Sequence, residues 1–133
     1  MADKTKFIEE LNAKYQPKGE YIVLGKGMLD GEVITEVDVN IPLKTINRHG
    51  LIAGATGTGK TKTLQVFVEQ LSHKGIPTLV MDIKGDLSGI AVEGEQNDKI
   101  NERYAKTKLP YQPQSFPVEL MTISAEKGLK LRA

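Results

Sequence analysis

The rhythm of apolar and polar residues changes along the chain. Phe7, Ile8, Leu11 and Tyr15 recur at helical spacing, with Glu9, Glu10 and Lys14 elsewhere, and Asp3 stands at the N-cap position. Gln16-Pro17-Lys18-Gly19 ends that helix. Residues 21–24 read as a strand, and Gly25-Lys26-Gly27 and Asp30-Gly31 as turns. From residue 32 to 42 the chain alternates. Val33, Thr35, Val37, Val39 and Ile41 point one way, and Glu32, Ile34, Glu36, Asp38 and Asn40 the other. A strand with one buried face alternates in this way, so residues 21–41 are expected to form a small β-rich lead-in.

The period then changes. Residues 49–53 read as a short buried strand, followed by a glycine-rich loop and a helix over residues 62–74. Leu64, Phe67, Val68 and Leu71 form an apolar stripe on that helix, and Lys74-Gly75 closes it. Residues 78–81 are a second apolar strand ending at Asp82. Strand, helix and strand predict a βαβ unit, with parallel pairing and a right-handed crossover. Both strands are nearly continuous apolar runs, as in a sheet covered on both faces. Beyond Lys84-Gly85-Asp86 the chain turns polar. A surface helix is expected within residues 95–108, anchored by Ile100 and Tyr104. Residues 109–113 read as extended, residues 117–123 as a third β candidate, and residues 124–133 show no clear period.

The loop itself carries the chemistry. Gly54-Ala55-Thr56-Gly57-Thr58-Gly59-Lys60-Thr61 fits G-x-x-x-x-G-K-[ST], the P-loop or Walker A pattern, with a strand expected before it and a helix after it. A phosphate chain brings several negative charges. Such a loop answers with inward backbone N–H groups and the positive end of the next helix. Side chains at Gly54, Gly57 and Gly59 would block that fold or demand unfavourable φ angles. Lys60 is placed to reach the β- and γ-phosphates, Thr61 to ligate Mg²⁺ through its hydroxyl, and Lys62 to offer its N–H to the α-phosphate.

Asp82 is the second candidate, because the C-terminal ends of strands line the ligand crevice of an open α/β sheet. It would hold a water of Mg²⁺ or touch a substrate. The plain alternative is an aspartate that caps its own turn. Lys84 and Asp86 read as solvated turn charges. His49 reads as structural, and His73 as a surface residue in a last helical turn. The lysines from Lys99 to Lys108 alternate with acids and read as a solvated face. Hydrolysis by P-loop proteins needs an Mg²⁺-directing acid, a water-orienting residue and often an arginine finger. Arg48, Arg103 and Arg132 are the only arginines, and none has a finger context.

Composition narrows the picture little. The chain has 133 residues, enough for one domain with a core, and a net charge of +1, which gives no whole-chain argument for an anionic partner. It has no cysteine, which excludes disulfides and thiolate chemistry. No apolar run approaches the ~20 residues of a membrane span and the N-terminus has no signal-peptide core, so a cytoplasmic location is expected.

Asn47-Arg48-His49-Gly50-Leu51-Ile52-Ala53, the Gly54 to Thr61 loop, and Met81-Asp82-Ile83-Lys84-Gly85-Asp86-Leu87-Ser88-Gly89 together resemble the bacterial HerA-like ATPases of the HerA/FtsK superfamily. Phe116-Pro117-Val118 and Gly128-Leu129-Lys130-Leu131-Arg132 also resemble that family's run into its next strands. The resemblance implies a RecA-like core, ATP and Mg²⁺ as cofactors, and ring-forming motors that move double-stranded DNA. It implies that Asp82 to Asp86 line the site or a subunit border. The expected fold class is therefore α/β: a P-loop NTPase with a partial RecA-like parallel sheet. Residues 1–47 would be the lead-in and residues 48–133 the first part of the core. The expected function is ATP binding by the N-terminal part of a longer HerA-like ATPase, with hydrolysis carried by regions outside this chain. The rival readings are a small-molecule kinase using Asp82 near the acceptor, which the scarcity of arginine disfavours, and a nucleotide-dependent interaction module that does not hydrolyse.

Overall fold

The computed structural model describes residues 3–123 and 128–131. Helix α1 spans Lys4–Tyr15, and the Asp3 carboxylate caps it by accepting from the N–H groups of Thr5 and Lys6 at 3.0 and 3.3 Å. Strands β1 (Tyr21–Leu29) and β2 (Glu32–Pro42) form an antiparallel hairpin. Its two-residue turn is Asp30-Gly31, with φ of +49° and +85°. Positive φ at both turn positions matches the right-handed twist of a hairpin, and Asp-Gly tolerates it.

Gly25-Lys26-Gly27 is not a turn, because β1 runs straight through it. The glycines instead mark register shifts, between Val23 and Gly25 and between Lys26 and Gly27. At the second shift Lys26 pairs with Asp38 and Gly27 with Ile34, so Thr35, Glu36 and Val37 bulge out of register. The Lys26 ammonium fills the bulge, donating to the Thr35 carbonyl at 2.9 Å and pairing with the Asp38 carboxylate. Gly27 is needed for close approach, since a Cβ there would meet Val37 Cγ1 at 3.0 Å. The bulge also breaks the strict alternation. Ile34, expected among the polar residues, is 2% exposed, and Val37 is fully buried. Residues three apart fall on opposite faces of a regular strand, and the irregular stretch between them turns both inward.

The core is built around this hairpin. Ile22, Ile34 and Val37 are its most buried residues, joined by Leu71, Leu87 and Ile90. Helix α1 packs on β2, α2 (Lys60–His73) on β1, and α3 (Asp98–Thr107) on β2. The expected apolar stripe of α2 is recovered in part: Leu71 is buried, and Leu64, Phe67 and Val68 are half-buried. Gln70 on α2 stitches helix to strand. Its Oε1 accepts from the Val23 N–H at 2.7 Å, and its Nε2 donates to the Val23 carbonyl. The side-chain amide thus serves Val23 as a neighbouring strand would. Gln70→Ala is expected to cost about 1–2 kcal/mol, because both backbone groups of Val23 then lose their partner in a half-buried place. A urea midpoint equal to that of the unchanged chain would show the contact to be idle.

The parallel sheet expected from residues 49–53 and 78–81 is not formed. Neither segment is a strand, and Leu51, Leu79, Met81 and Ile83 are 82–99% exposed. A parallel pair is stable only when layers cover both its faces. Here α2, the helix that would cover one face, lies on the hairpin instead. Among the described residues the one parallel ladder joins β3 (Met121–Thr122) to β4 (Leu129–Lys130), inside and just beyond the third β candidate. The expected surface helix is α3, capped by Asn97, with Tyr104 stacked on Tyr111 at 4.4 Å. Arg132 lies outside the described residues. The described residues form a small α/β fold with two two-stranded sheets.

Candidate functional site

Residues 54–59 form an exposed loop that runs directly into α2. Thr58 closes the loop on itself: its hydroxyl and its N–H both donate to the Ala55 carbonyl, at 2.8 and 3.4 Å. Gly57 and Gly59 adopt left-handed φ of +80° and +96°. Side chains are strained at such angles, which explains glycine at both places. A Cβ on Gly54 would stand 2.5 Å from Thr58 Oγ1, so the Thr58 hydroxyl would have to turn away from the Ala55 carbonyl. Ala55, Thr56 and Lys62 are exposed.

Gly59 is the N-cap of α2, and no side chain caps the helix. The first turn also carries no acid, so the positive end of the helix dipole is not neutralised from within. Lys60 folds back over the loop, and its Nζ donates to the carbonyls of Gly54 at 2.9 Å and Ala55 at 2.8 Å. Uncapped N–H groups, left-handed glycines and an ammonium group are therefore gathered within one turn of chain.

The loop after Asp82 docks against the same turn. Thr61 Oγ1 donates to Asp86 Oδ2 at 3.2 Å, and Gln65 Nε2 donates to the Asp86 main-chain carbonyl at 3.1 Å. Gln65 is 8% exposed, and Leu87 anchors the loop beside it. The Asp82 carboxylate is spent within its own loop, where it accepts from the N–H groups of Lys84 at 3.2 Å, Gly85 at 2.8 Å and Leu87 at 2.9 Å. The turn-capping alternative for Asp82 thus describes its contacts, and Asp86, read as a solvated charge, is the acid that meets Thr61. The amides Gln65 and Gln70 were not legible as contact residues. Their only signal is a polar side chain beside an apolar stripe. His49 is exposed, and His73 sits edge-on to Phe116 at 5.0 Å with Gln114 against its ring.

The bonds to Asp82 have an electrostatic consequence. The Leu87 N–H is the largest influence, and together with those of Gly85, Lys84 and Asp86 it outweighs the upward push from lost solvent and holds the carboxyl below the ordinary aspartate range. A carboxyl with a lowered folded-state pKa stabilises the fold above its unfolded value, and the contribution is lost as pH falls through the folded value. The loop at residues 82–87 is therefore expected to be held at neutral pH and to loosen only below the ordinary aspartate range. In an NMR titration the Gly85 and Leu87 amide shifts should follow one depressed midpoint. A midpoint at the ordinary aspartate value would contradict this.

A hollow of about 360 Å³ lies elsewhere, between the hairpin and α3, and Lys26, Lys99, Arg103 and Lys106 mix with Glu102 in its wall. Among the described residues no cluster of histidine and acid could hold a metal by itself, and no helix is long and apolar enough to cross a membrane.

Residues 28–133 match the family described as Helicase HerA-like C-terminal. The chain belongs to this HerA-like family. The match takes in most of the hairpin, the 54–61 loop and the docked loop together. Among curated relatives, the HerA-like chain is similar to a "Probable helicase MJ1565" of Methanocaldococcus jannaschii, with 35% identity over 78 residues, covering 56% of the chain and 15% of the relative. It is also similar to the "DNA double-strand break repair helicase HerA" of Saccharolobus solfataricus, with 32% identity over 78 residues, covering 59% of the chain and 14% of the relative. The alignments thus span about one seventh of either relative's length. No solved structure matches the HerA-like chain.

Proposed function

We propose that the chain binds ATP with Mg²⁺ through Gly54, Ala55, Thr56, Gly57, Thr58, Gly59, Lys60, Thr61 and Lys62, as the nucleotide-holding part of a HerA-like ATPase that moves along double-stranded DNA. The observation that carries this reading is the 54–61 run realised as a left-handed glycine loop entering an uncapped helix, with the Lys60 ammonium folded over it. That donor set fits the oxygens of a phosphate chain, and the Thr61 hydroxyl fits a hard cation that takes oxygen ligands. When bound, Mg²⁺ supplies neutralisation of phosphate charge. Asp82 serves the metal indirectly, by fixing the turn that presents Asp86.

The same proposal takes residues 1–47 as a lead-in and residues 48–133 as part of a RecA-like core. A ring of several copies, with hydrolysis by acid and arginine residues beyond this chain, completes the reading. The kinase alternative is weaker, because the Asp82 carboxylate is already engaged by three backbone N–H groups. A nucleotide-dependent module without turnover differs from the proposal only downstream of binding. Titration calorimetry with ATP, with and without Mg²⁺, tests the shared step. Saturable binding of one nucleotide per chain is expected, and absence of binding at millimolar ATP overturns the assignment.

A further inference from the structure

We propose that Asp86 is a positioning residue for the metal of this site, acting through Thr61; the inference rests on the nucleotide-binding reading above. Thr61 and Gln65 are one turn apart on the same face of α2. Both reach Asp86: Thr61 donates to its carboxylate at 3.2 Å, and Gln65 to its carbonyl at 3.1 Å. Asp86 is thus gripped by side chain and main chain at once. The turn that carries it is fixed in its turn by the Asp82 carboxylate and by Gly85, whose φ is +76°.

A hydroxyl has one proton and two lone pairs. Giving the proton to Asp86 directs the lone pairs of Thr61 away from that carboxylate. Mg²⁺ demands near-ideal octahedral geometry, so a hydroxyl with a fixed orientation is a better ligand than a rotating one. The carboxylate also places a negative charge beside the phosphate-binding loop. It opposes a bare nucleotide and favours a metal-loaded one. The two effects have opposite signs, and this separates positioning from a merely structural role.

The test is titration calorimetry with ADP, in EDTA and in Mg²⁺, on the chain and on Asp86→Asn. The ratio of the two affinities, the gain from Mg²⁺, is expected to fall about tenfold to a hundredfold in the variant. The EDTA affinity is expected to stay level or rise, because a like charge has gone. Parallel losses in both buffers would mark a structural role and overturn the proposal, and so would an unchanged Mg²⁺ gain. Thr61→Val gives an independent arm should Asp86→Asn fold poorly, since it must lose the same gain. Asp86→Asn added to Thr61→Val should then lower the gain by clearly less than it does alone, because the part carried through the Thr61 hydroxyl is already gone. A retained gain in Thr61→Val, or additive losses, overturns the proposal as well. A chain that binds ADP without any gain from Mg²⁺ removes this inference alone, whereas a chain that binds no ADP removes the nucleotide reading with it.

Discussion

Replacing Lys60 with alanine is expected to weaken ATP binding by about tenfold to a hundredfold and to leave the fold intact. The magnitude follows from the bond type. A hydrogen bond to a charged group contributes about 1.5–3 kcal/mol, and each 1.4 kcal/mol is about a factor of ten in affinity. Among the described residues the ammonium is the one cation folded onto the 54–59 loop, and it is partly buried there. Its present partners are the carbonyls of Gly54 and Ala55, both on exposed residues that water can serve as well. Stability should therefore change little, and the far-UV circular dichroism and urea midpoint should match those of the unchanged chain. Lys60→Arg is a sharper control. Guanidinium keeps the charge but replaces a compact point donor with a planar fork, so only part of the affinity should return. Equal affinity in all three proteins would mean that the loop does not hold phosphate through this side chain.

The elements defined by local rules were legible in the sequence. Asp3 announced a helix start, Asp30-Gly31 a turn, and the stripe from Leu64 to Leu71 a helix with one apolar face. Each depends on residues close together in the chain, so its signal is complete within a few positions. The glycines at 25 and 27 were read by the same local rule and misled it. In β1 they allow bulges and the approach of Val37, which depend on β2 and cannot be seen from β1 alone. The runs at residues 51–53 and 78–81 had the composition of parallel strands. A parallel ladder, however, is a property of several segments and their covering helices, and the apolar pattern of one segment does not say where the helix will settle. Here it settles on the hairpin, with Gln70 serving the Val23 backbone.

The candidate site divides in the same way. Spacing alone located the loop, because each position of G-x-x-x-x-G-K-T is constrained by its immediate neighbours. The acid that faces the loop was not legible. Asp82 and Asp86 differ by four positions in one turn, and which of them meets Thr61 depends on how that turn folds. Asp82 lies where backbone N–H groups converge and is consumed by them, so its loop carries Asp86 to the helix. The helix start, the glycine loop and the 82–87 turn thus form one hydrogen-bonded unit on α2, and α2 in turn is held by the hairpin. Damage to the hairpin should therefore reach the site without touching it.

Val37→Asp is the substitution expected to show this, by unfolding the chain. Val37 has no exposed surface and lies in the bulge where β2 meets Gly27 and, through it, Phe7 of α1. A carboxylate there would have no room for water. The ammonium of Lys26, in the same bulge, is already committed to Asp38 and the Thr35 carbonyl. An uncompensated buried charge costs several kcal/mol. The stability of a domain is typically about 5–15 kcal/mol, and a core resting on Ile22, Ile34 and Val37 stands towards the low end. Val37→Ala removes only packing, should cost about 2 kcal/mol, and gives a measurable midpoint if the aspartate variant is unfolded. In that variant ATP binding should survive below the urea midpoint and vanish together with the helical signal through the transition. Val37→Asp with native dichroism and an unshifted midpoint would mean that the hairpin is not what holds α2 in place, and that the loop owes its shape to local forces alone.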